Sequence, residues 1–414
     1  MSYSFAASHA KGKSATDKIF GANGAALIAA GKYGKEAVTN ATIGALLDDN
    51  EVLTCLPTVE AVFKSLPMSE IITYAPIAGL PEYLEAAINL TFGNHKPEAY
   101  IDAVATAGGS GVIHHAIWNY TELGDTVLTS DWFWGPYRVL CQEALRKLDT
   151  YQLFDEGFHF NIKAFESKVR ELIAKQDSLL VIINAPAHNP TGYSLTDSEW
   201  DQVIEVCKTV VPKDKRIALL IDVAYLDFAG EPDASRAFMS KFGGLPENIL
   251  GIFAFSMSKG YTMYGQRCGA MIGVSSNKDV ITEFAAINQY TSRATWSNIS
   301  RSPMRLLATI YQDKALLKKV DSERTGYYQL IRGRADIFMQ EAKETNLTML
   351  PYIAGFFLSI PAKNPDAVCD KLHDVNLFAV PLAKGVRIAV CAVTTAKIKG
   401  MAGKVAAALV EVDK

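Results

Sequence analysis

The chain has 414 residues, 49% of them hydrophobic and 21% charged, with a formal net charge of −3. That length buries a large core and predicts two lobes, while the small net charge gives no electrostatic reason to expect nucleic acid or a membrane as partner. No apolar stretch is long enough to span a bilayer, residues 1–18 lack the apolar region of a secretory signal, and six cysteines without CxxC spacing suit reduced, mostly buried thiols of the cytoplasm.

In chain order, the first cluster with chemical meaning is Ala107-Gly108-Gly109-Ser110-Gly111, ahead of a predicted helix over 112–120. Small residues let backbone amides approach a phosphate, and a helix amino-terminus favours an anion. Taken alone, the cluster also describes an ordinary tight turn. It is not a P-loop, because no Gly-Lys-Ser/Thr follows, and His114 stands where a dinucleotide fingerprint has its third glycine. His114 and His115 lie on that helix without Cys or carboxylates in ligand spacing, so no metal is expected.

A strand over 126–129 is followed by Trp132-Phe133-Trp134, which reads as core or as an aromatic loop. The apolar run 178–184 is a strand leading into Ala187-His188-Asn189-Pro190-Thr191-Gly192, a turn in any protein. Thr196 with Glu199 forms a capping box at the start of a helix over 196–211. Strands over 217–222, 249–255 and 268–274 come next, then a helix over 277–291. A long helical region spans 302–345; beyond it lie a strand at 356–360 and a helix at 396–411. Strands alternating with helices predict an α/β fold, a large domain around a mostly parallel sheet flanked by helices, with a smaller α/β lobe. The large domain is placed at 66–320, and the small one at 1–65 with 321–414.

Three strand ends carry the chemistry. Ile249-Leu250-Gly251-Ile252-Phe253-Ala254-Phe255 runs into Ser256-Met257-Ser258-Lys259-Gly260, with Arg267 eight residues after the lysine. A lysine near a buried strand end loses its proton more easily, since desolvation disfavours the ammonium. Such an amine is a nucleophile able to form a Schiff base with an aldehyde, and the serines and arginine are groups that an anionic phosphate needs. Lysine, aldehyde and phosphate together point to pyridoxal phosphate, although a Ser-x-Ser-Lys run by itself also describes a solvated loop. Asp222 ends the run Ile217-Ala218-Leu219-Leu220-Ile221, where open parallel sheets bind ligands. A protonated pyridine nitrogen would be its cationic partner, a pair worth roughly 4 kcal/mol gross at about 4 Å and an effective dielectric near 20. Tyr225 is then placed to hydrogen-bond the ring's phenolic oxygen, joined by Asn189.

Tyr74 in Tyr74-Ala75-Pro76-Ile77-Ala78-Gly79-Leu80, Gly109-Ser110-Gly111, Trp134-Gly135 and His188-Asn189-Pro190-Thr191-Gly192 form an ordered set. It continues through Asp222-x-Ala224-Tyr225, Ser256-x-Ser258-Lys259 with Arg267, and Arg387 in Gly385-Val386-Arg387-Ile388. In this order, across almost the whole chain, they resemble the fold-type-I, pyridoxal-phosphate-dependent aminotransferases of class I/II, nearest their aspartate/aromatic branch. The resemblance implies ping-pong transfer of an amino group between an L-amino acid and a 2-oxo acid. It implies that Lys259 carries the cofactor and moves the proton, Asp222 pairs with the ring nitrogen, and Asn189 and Tyr225 hold the ring oxygen. Trp134 would stack on the ring. Gly109, Ser110, Ser256, Ser258 and Arg267 would hold the phosphate, with Tyr74 reaching across from the neighbouring subunit of a homodimer. Arg387 would clamp the substrate's α-carboxylate, His188 would stand behind Asp222, and Ile43-Gly44-Ala45 would belong to a mobile strip that closes over substrate. Read from alternation alone, Arg387 points from a strand into solvent, and His188 is equally a turn histidine.

Substrate choice turns on Arg293-Ala294-Thr295-Trp296-Ser297-Asn298. The family's aspartate members follow this arginine with Pro, Met and Tyr, so the guanidinium remains while its supports differ. Arg293, from the partner subunit, is the candidate for a distal carboxylate, with Arg301 and Arg305 as alternatives. Pro136-Tyr137 also departs from the Asn and His of aspartate-type enzymes, which alters how His188 and Asp222 are tuned. Aspartate or glutamate is the favoured donor, an aromatic amino acid the alternative. A lyase on the same cofactor is a second class, and a non-catalytic regulator a third; no basic DNA-binding region precedes residue 60.

Overall fold

The computed structural model describes residues 5–14 and 17–413. Seven strands form the main sheet: β1 (Tyr100–Thr106), β2 (Thr126–Ser130), β3 (Lys147–Tyr151), β4 (Ser178–Asn184), β5 (Arg216–Asp222), β6 (Ile249–Ser256) and β7 (Gly269–Ser275). Their order is β1-β7-β6-β5-β4-β2-β3. The β7 strand runs antiparallel to both neighbours, and the other pairs are parallel. The central strands β4, β5 and β6 are near-continuous apolar runs because helices cover both sheet faces, and β6 is buried at every position.

The predicted runs at 178–184, 217–222, 249–255 and 268–274 match β4 to β7 to within a residue at each end. Sequence reading missed β1 and β3, the two edge strands. Lys147-Leu148-Asp149-Thr150-Tyr151 has only its last residue buried, so it lacks the apolar signal that marks an inner strand. The capping box of Thr196 and Glu199 starts the helix Asp197–Val210. The expected helical region 302–345 is two helices, Arg301–Gln312 and Lys314–Glu344, because Asp313 caps the second by accepting from the Ala315 and Leu316 amides. Likewise the helix expected over 396–411 divides into Thr395–Ile398 and Met401–Val412 at Gly400, a left-handed residue. The glycine cluster does not precede its helix but forms the first turn of Gly108–Tyr120.

Strand register assembles the site. Asn184 lies opposite Asp222, and Asp222 opposite Ala254. Because β7 runs backwards, its first residue Gly269 meets both Ser256 of β6 and Thr106 of β1. The ends of β1, β4, β5 and β6 therefore converge at one edge, where the following turns carry Gly108, Asn189, Tyr225 and Lys259.

A second hydrophobic cluster surrounds a three-stranded antiparallel sheet of β8 (Phe357–Pro361), β9 (Val380–Pro381) and β10 (Gly385–Ala389), ordered β9-β10-β8. The helix Lys314–Glu344 gives Val320 to the first cluster and Ile331, Ala335 and Phe338 to the second. Residues Thr39–Asn40 pair in parallel with Leu377–Phe378. Among the described residues no helix is long and apolar enough to cross a membrane.

Gly192 closes the turn that carries Asn189, with φ of +75° and a Cβ position 2.1 Å from a Tyr352 ring carbon. Gly192→Ala should destabilise the protein by roughly 2–4 kcal/mol, through backbone strain and overpacking together. Gly244→Ala, with φ of +63° but open space around it, should cost only about 1–2 kcal/mol. Thermal denaturation of the two variants compares them; equal shifts would remove the packing role of Gly192.

Candidate active site

Asp222 is at the mouth of β5 and is buried. Its Oδ2 accepts a 2.6 Å hydrogen bond from the Tyr137 hydroxyl, and its Oδ1 accepts from the Ala224 amide at 3.2 Å. Burial raises the carboxyl pKa above its ordinary value, and the bonds from Tyr137 and Ala224 pull against that rise. Next to it, Asn184 spans two turns: its Nδ2 donates to the Asp222 carbonyl at 2.8 Å, and its Oδ1 accepts from the Asn189 amide at 2.6 Å. This fixes Asn189, whose Nδ2 donates to the Tyr225 hydroxyl at 3.2 Å.

The lysine sits on the short helix Met257–Gly260, capped by Ser256, whose hydroxyl accepts from the Ser258 amide. Burial lowers the Lys259 amine to about 8; Arg267 and Arg387 act in the same direction, against Cys391 and Asp222. The amine donates to the Gly44 carbonyl at 2.8 Å and lies 4.8 Å from the centre of the Tyr264 ring. Tyr264 in turn accepts from the Leu46 amide at 3.0 Å. Gly44 thus meets Lys259 directly, at a position where a Cβ would stand 2.6 Å from the Phe357 ring.

At the other end of the cavity, the helix Gly108–Tyr120 begins at Ala107, which offers no side-chain acceptor to the first-turn amides. Gly108 has φ of +68°, and any Cβ there would lie 2.8 Å from Arg267 Nη2. The left-handed backbone there favours glycine, and its bare Cα leaves room for the guanidinium against the helix start. Arg267 also donates to the Ser258 hydroxyl at 3.1 Å and the Tyr264 carbonyl at 3.0 Å. A cavity of about 170 Å³ joins these groups: Gly109, Ser110, Trp134, Asn189, Asp222, Tyr225, Ser256, Ser258, Lys259 and Arg267 all line it, as do Asn184, Ala224 and Tyr264.

Arg387 is 2% exposed, so the strand-into-solvent reading of its alternation is wrong. Its partner strand β8 and Phe357 cover it: the guanidinium lies 4.3 Å from that ring's centre. It donates to the Thr42 carbonyl at 2.7 Å and to Asn189 Oδ1 at 3.3 Å, and its buried Nε has no partner. Burial lowers the guanidinium pKa to about 10. His188 bonds Thr191 Oγ1 at 2.8 Å and the Trp132 backbone, and burial lowers it to about 3. The group that contacts Asp222 from behind is Tyr137, not His188.

Two expected residues lie away from this cavity. Tyr74 is 83% exposed, and Arg293 is exposed, donating to the Ser297 hydroxyl. Arg301 and Arg305 are both engaged by Glu70, at 2.7 and 3.1 Å, and Arg305 also by Glu82. Sequence reasoning missed Asn184 and Tyr264 as lining residues. Asn184 had a signal, as the polar residue that ends the apolar run 179–183; Tyr264 had none beyond lying between Lys259 and Arg267.

The residues fit pyridoxal phosphate on three structural grounds. An amine with a depressed pKa shares the cavity with a buried carboxylate, an uncapped helix start offers free first-turn amides, and an arginine with serines stands there for a dianion.

Comparison with known proteins agrees with this geometry. A family model described as aminotransferase class I and II matches residues 36–405. The mitochondrial aspartate aminotransferase of Dictyostelium discoideum is 24% identical over 411 residues, 95% of this chain and 91% of that protein. The crystal structure of an aminotransferase from Anaerococcus prevotii DSM 20548 is 40% identical with a TM-score of 0.96, covering 98% of this chain and all of that one. An aromatic-amino-acid aminotransferase from Burkholderia pseudomallei, covalently bound to pyridoxal phosphate, shares the fold at 22% identity, with a TM-score of 0.79 over 98% of this chain and 100% of that one. The chain belongs to the class I and II aminotransferases, enzymes that work with pyridoxal 5′-phosphate.

Proposed function

We propose that this aminotransferase exchanges an amino group between an L-amino acid and a 2-oxo acid, with aspartate or glutamate as the preferred donor, as a homodimer. The observation that carries it is Lys259, an amine brought to about 8 and set in one cavity with Asp222, Tyr225 and Arg267. When bound, pyridoxal phosphate supplies an electron sink that makes the substrate's Cα–H acidic, and a carbon that carries the amino group between half-reactions. In this reading Asp222 faces the ring nitrogen, Asn189 and Tyr225 hold the ring oxygen, and Trp134 covers the ring face. The first-turn amides at Gly109 and Ser110, with Ser256, Ser258 and Arg267, hold the phosphate dianion. The free Nε of Arg387 and its Nη take the substrate's α-carboxylate as a bidentate pair. The amine of Lys259, held by burial below its ordinary pKa, would take the proton from the substrate's Cα and hand it on as the general acid–base of the site. Gly44, already against that amine, closes the cavity from the strip 43–45 and excludes water.

Distal recognition is assigned to Arg293 of the partner subunit, with Tyr74 of the partner subunit completing the phosphate site. What supports this choice is the fate of three arginines. Arg301 and Arg305 already have carboxylates, while among the described residues Arg293 has only the neutral Ser297 hydroxyl. The boundaries 66–320 for the large domain and 1–65 with 321–414 for the small one belong to this reading, supported by the helix that passes from one core to the other. Six unpaired thiols fit the reducing cytoplasm.

Lys259→Ala should lower kcat by roughly 10²–10⁴-fold or more, since proton transfer alone is worth that much; unchanged turnover ends the assignment. The lysine's folded pKa, about 8, lies below its ordinary 10.5, so the folded apoprotein binds fewer protons than the unfolded chain between those values. Its stability should rise as pH climbs from about 8 to about 10.5. That slope should be absent in Lys259→Met, as followed by urea denaturation at each pH.

Arg293→Ala should reduce kcat/KM for aspartate or glutamate by roughly 10- to 100-fold, the size of a charged hydrogen-bonded pair. Aromatic donors should change little; equal losses for both would remove Arg293 from recognition. Given amino donor alone, the enzyme should release one 2-oxo acid per site and no ammonia. Continuous ammonia release would identify a lyase instead.

A further inference from the structure

Tyr137 lies on the helix Pro136–Glu143 and is fully buried. Its hydroxyl reaches Asp222 at 2.6 Å. Its ring meets Trp134 edge-on, with centroids 5.6 Å apart and planes at 88°, and its backbone N–H donates to the Trp134 carbonyl at 2.9 Å. One side chain therefore touches both the carboxylate at the back of the cavity and the indole at its face. With Ala224 on the other carboxylate oxygen, two donors fix the plane of Asp222.

Tyr137 and Lys259 act on Asp222 itself, while Arg387 and Cys391 act on its neighbours Tyr225 and Lys259, and Arg267 on Lys259. His188 is not among them. An imidazole at this position would be able to take up a second proton near neutral pH. A phenol donates one hydrogen bond and stays uncharged, and burial pushes this one well above its ordinary value. Resting on the function proposed above, we propose that Tyr137 is the positioning residue that fixes Asp222 and Trp134 together, holding the carboxylate with a neutral donor at every working pH.

Tyr137→Phe keeps the ring against Trp134 and deletes only the bond to Asp222, so the two contributions separate. The carboxyl of Asp222 already lies above its ordinary 3.8 in the folded state. Folded protein then holds that proton to higher pH than unfolded protein, and stability falls as pH rises from 3.8 to the folded value. Without the phenol that interval extends further upward. In apoprotein melting from pH 4 to 8, the gap between wild type and Tyr137→Phe should widen with pH, by roughly 2–3 °C. Against an Asp222→Asn background, removing the hydroxyl should give a gap that does not change with pH. Titrating apoprotein with pyridoxal phosphate at pH 8, followed by tryptophan fluorescence, should show Kd about ten- to hundredfold higher in Tyr137→Phe.

A pH-independent gap in both backgrounds, or equal Kd values, would overturn the role of Tyr137. Failure of wild-type apoprotein to bind pyridoxal phosphate would instead overturn the functional reading, while the melting cycle would still decide whether Tyr137 and Asp222 are coupled. Should Tyr137→Phe not fold, wild type against Asp222→Asn provides the second measurement: the stability difference should change with pH above 3.8, and a pH-independent difference counts against the proposal.

Discussion

The structure depends on placing an ionisable amine and a carboxylate, both desolvated, at the same end of one buried sheet. Burial alone moves Lys259 down and Asp222 up, which weakens the charge on each. A protein that only needed stability would gain from apolar residues at both positions. Asp222 keeps two hydrogen-bond donors instead, and Lys259 keeps a carbonyl, so each is held in one geometry while its charge remains responsive. This unfavourable pair is what a cofactor with a cationic ring nitrogen and an aldehyde can exploit.

The same principle extends to the arginines. Arg267 lines the cavity, Arg387 reaches the lining residue Asn189, and both depress the lysine. Arg267 is balanced in part by hydroxyl and carbonyl oxygens. Arg387 keeps an orphan Nε within the protein, and leaving a buried donor unsatisfied costs about 1–3 kcal/mol. In the function proposed above, a substrate carboxylate offsets that cost on binding. By contrast, Asp227 pairs with both Arg236 and Arg324, and the latter pair ties it to the helix Lys314–Glu344.

Much of the site was legible because its residues end apolar runs. A strand that must be buried cannot end in Asp222 or lead directly into Lys259 without a reason, so the exceptions were visible against the pattern. The glycines in the turns were visible too, and the structure gives their reason: a positive φ at Gly108 and, at Gly192, a positive φ with the Tyr352 ring against it. Arg387 was ambiguous, since alternation places a residue on one side of a strand but does not say what covers that side. Phe357 and the Thr42 carbonyl cover it, and they come from segments about 30 and 345 residues away.

By itself, then, the sequence determined the inner strands, the capped helix at Thr196, and the lysine, carboxylate and serines at the strand ends, because burial, capping and turn chemistry are local to a few residues. Tertiary structure alone decided that Tyr137 rather than His188 contacts Asp222, that Asn184 joins two turns, and that Gly44 meets Lys259. Those contacts span 85, 38 and 215 residues for Tyr137–Asp222, Asn184–Asp222 and Gly44–Lys259. They are set by strand register and by how loops pack over the sheet edge, and no periodicity in the chain encodes such distances.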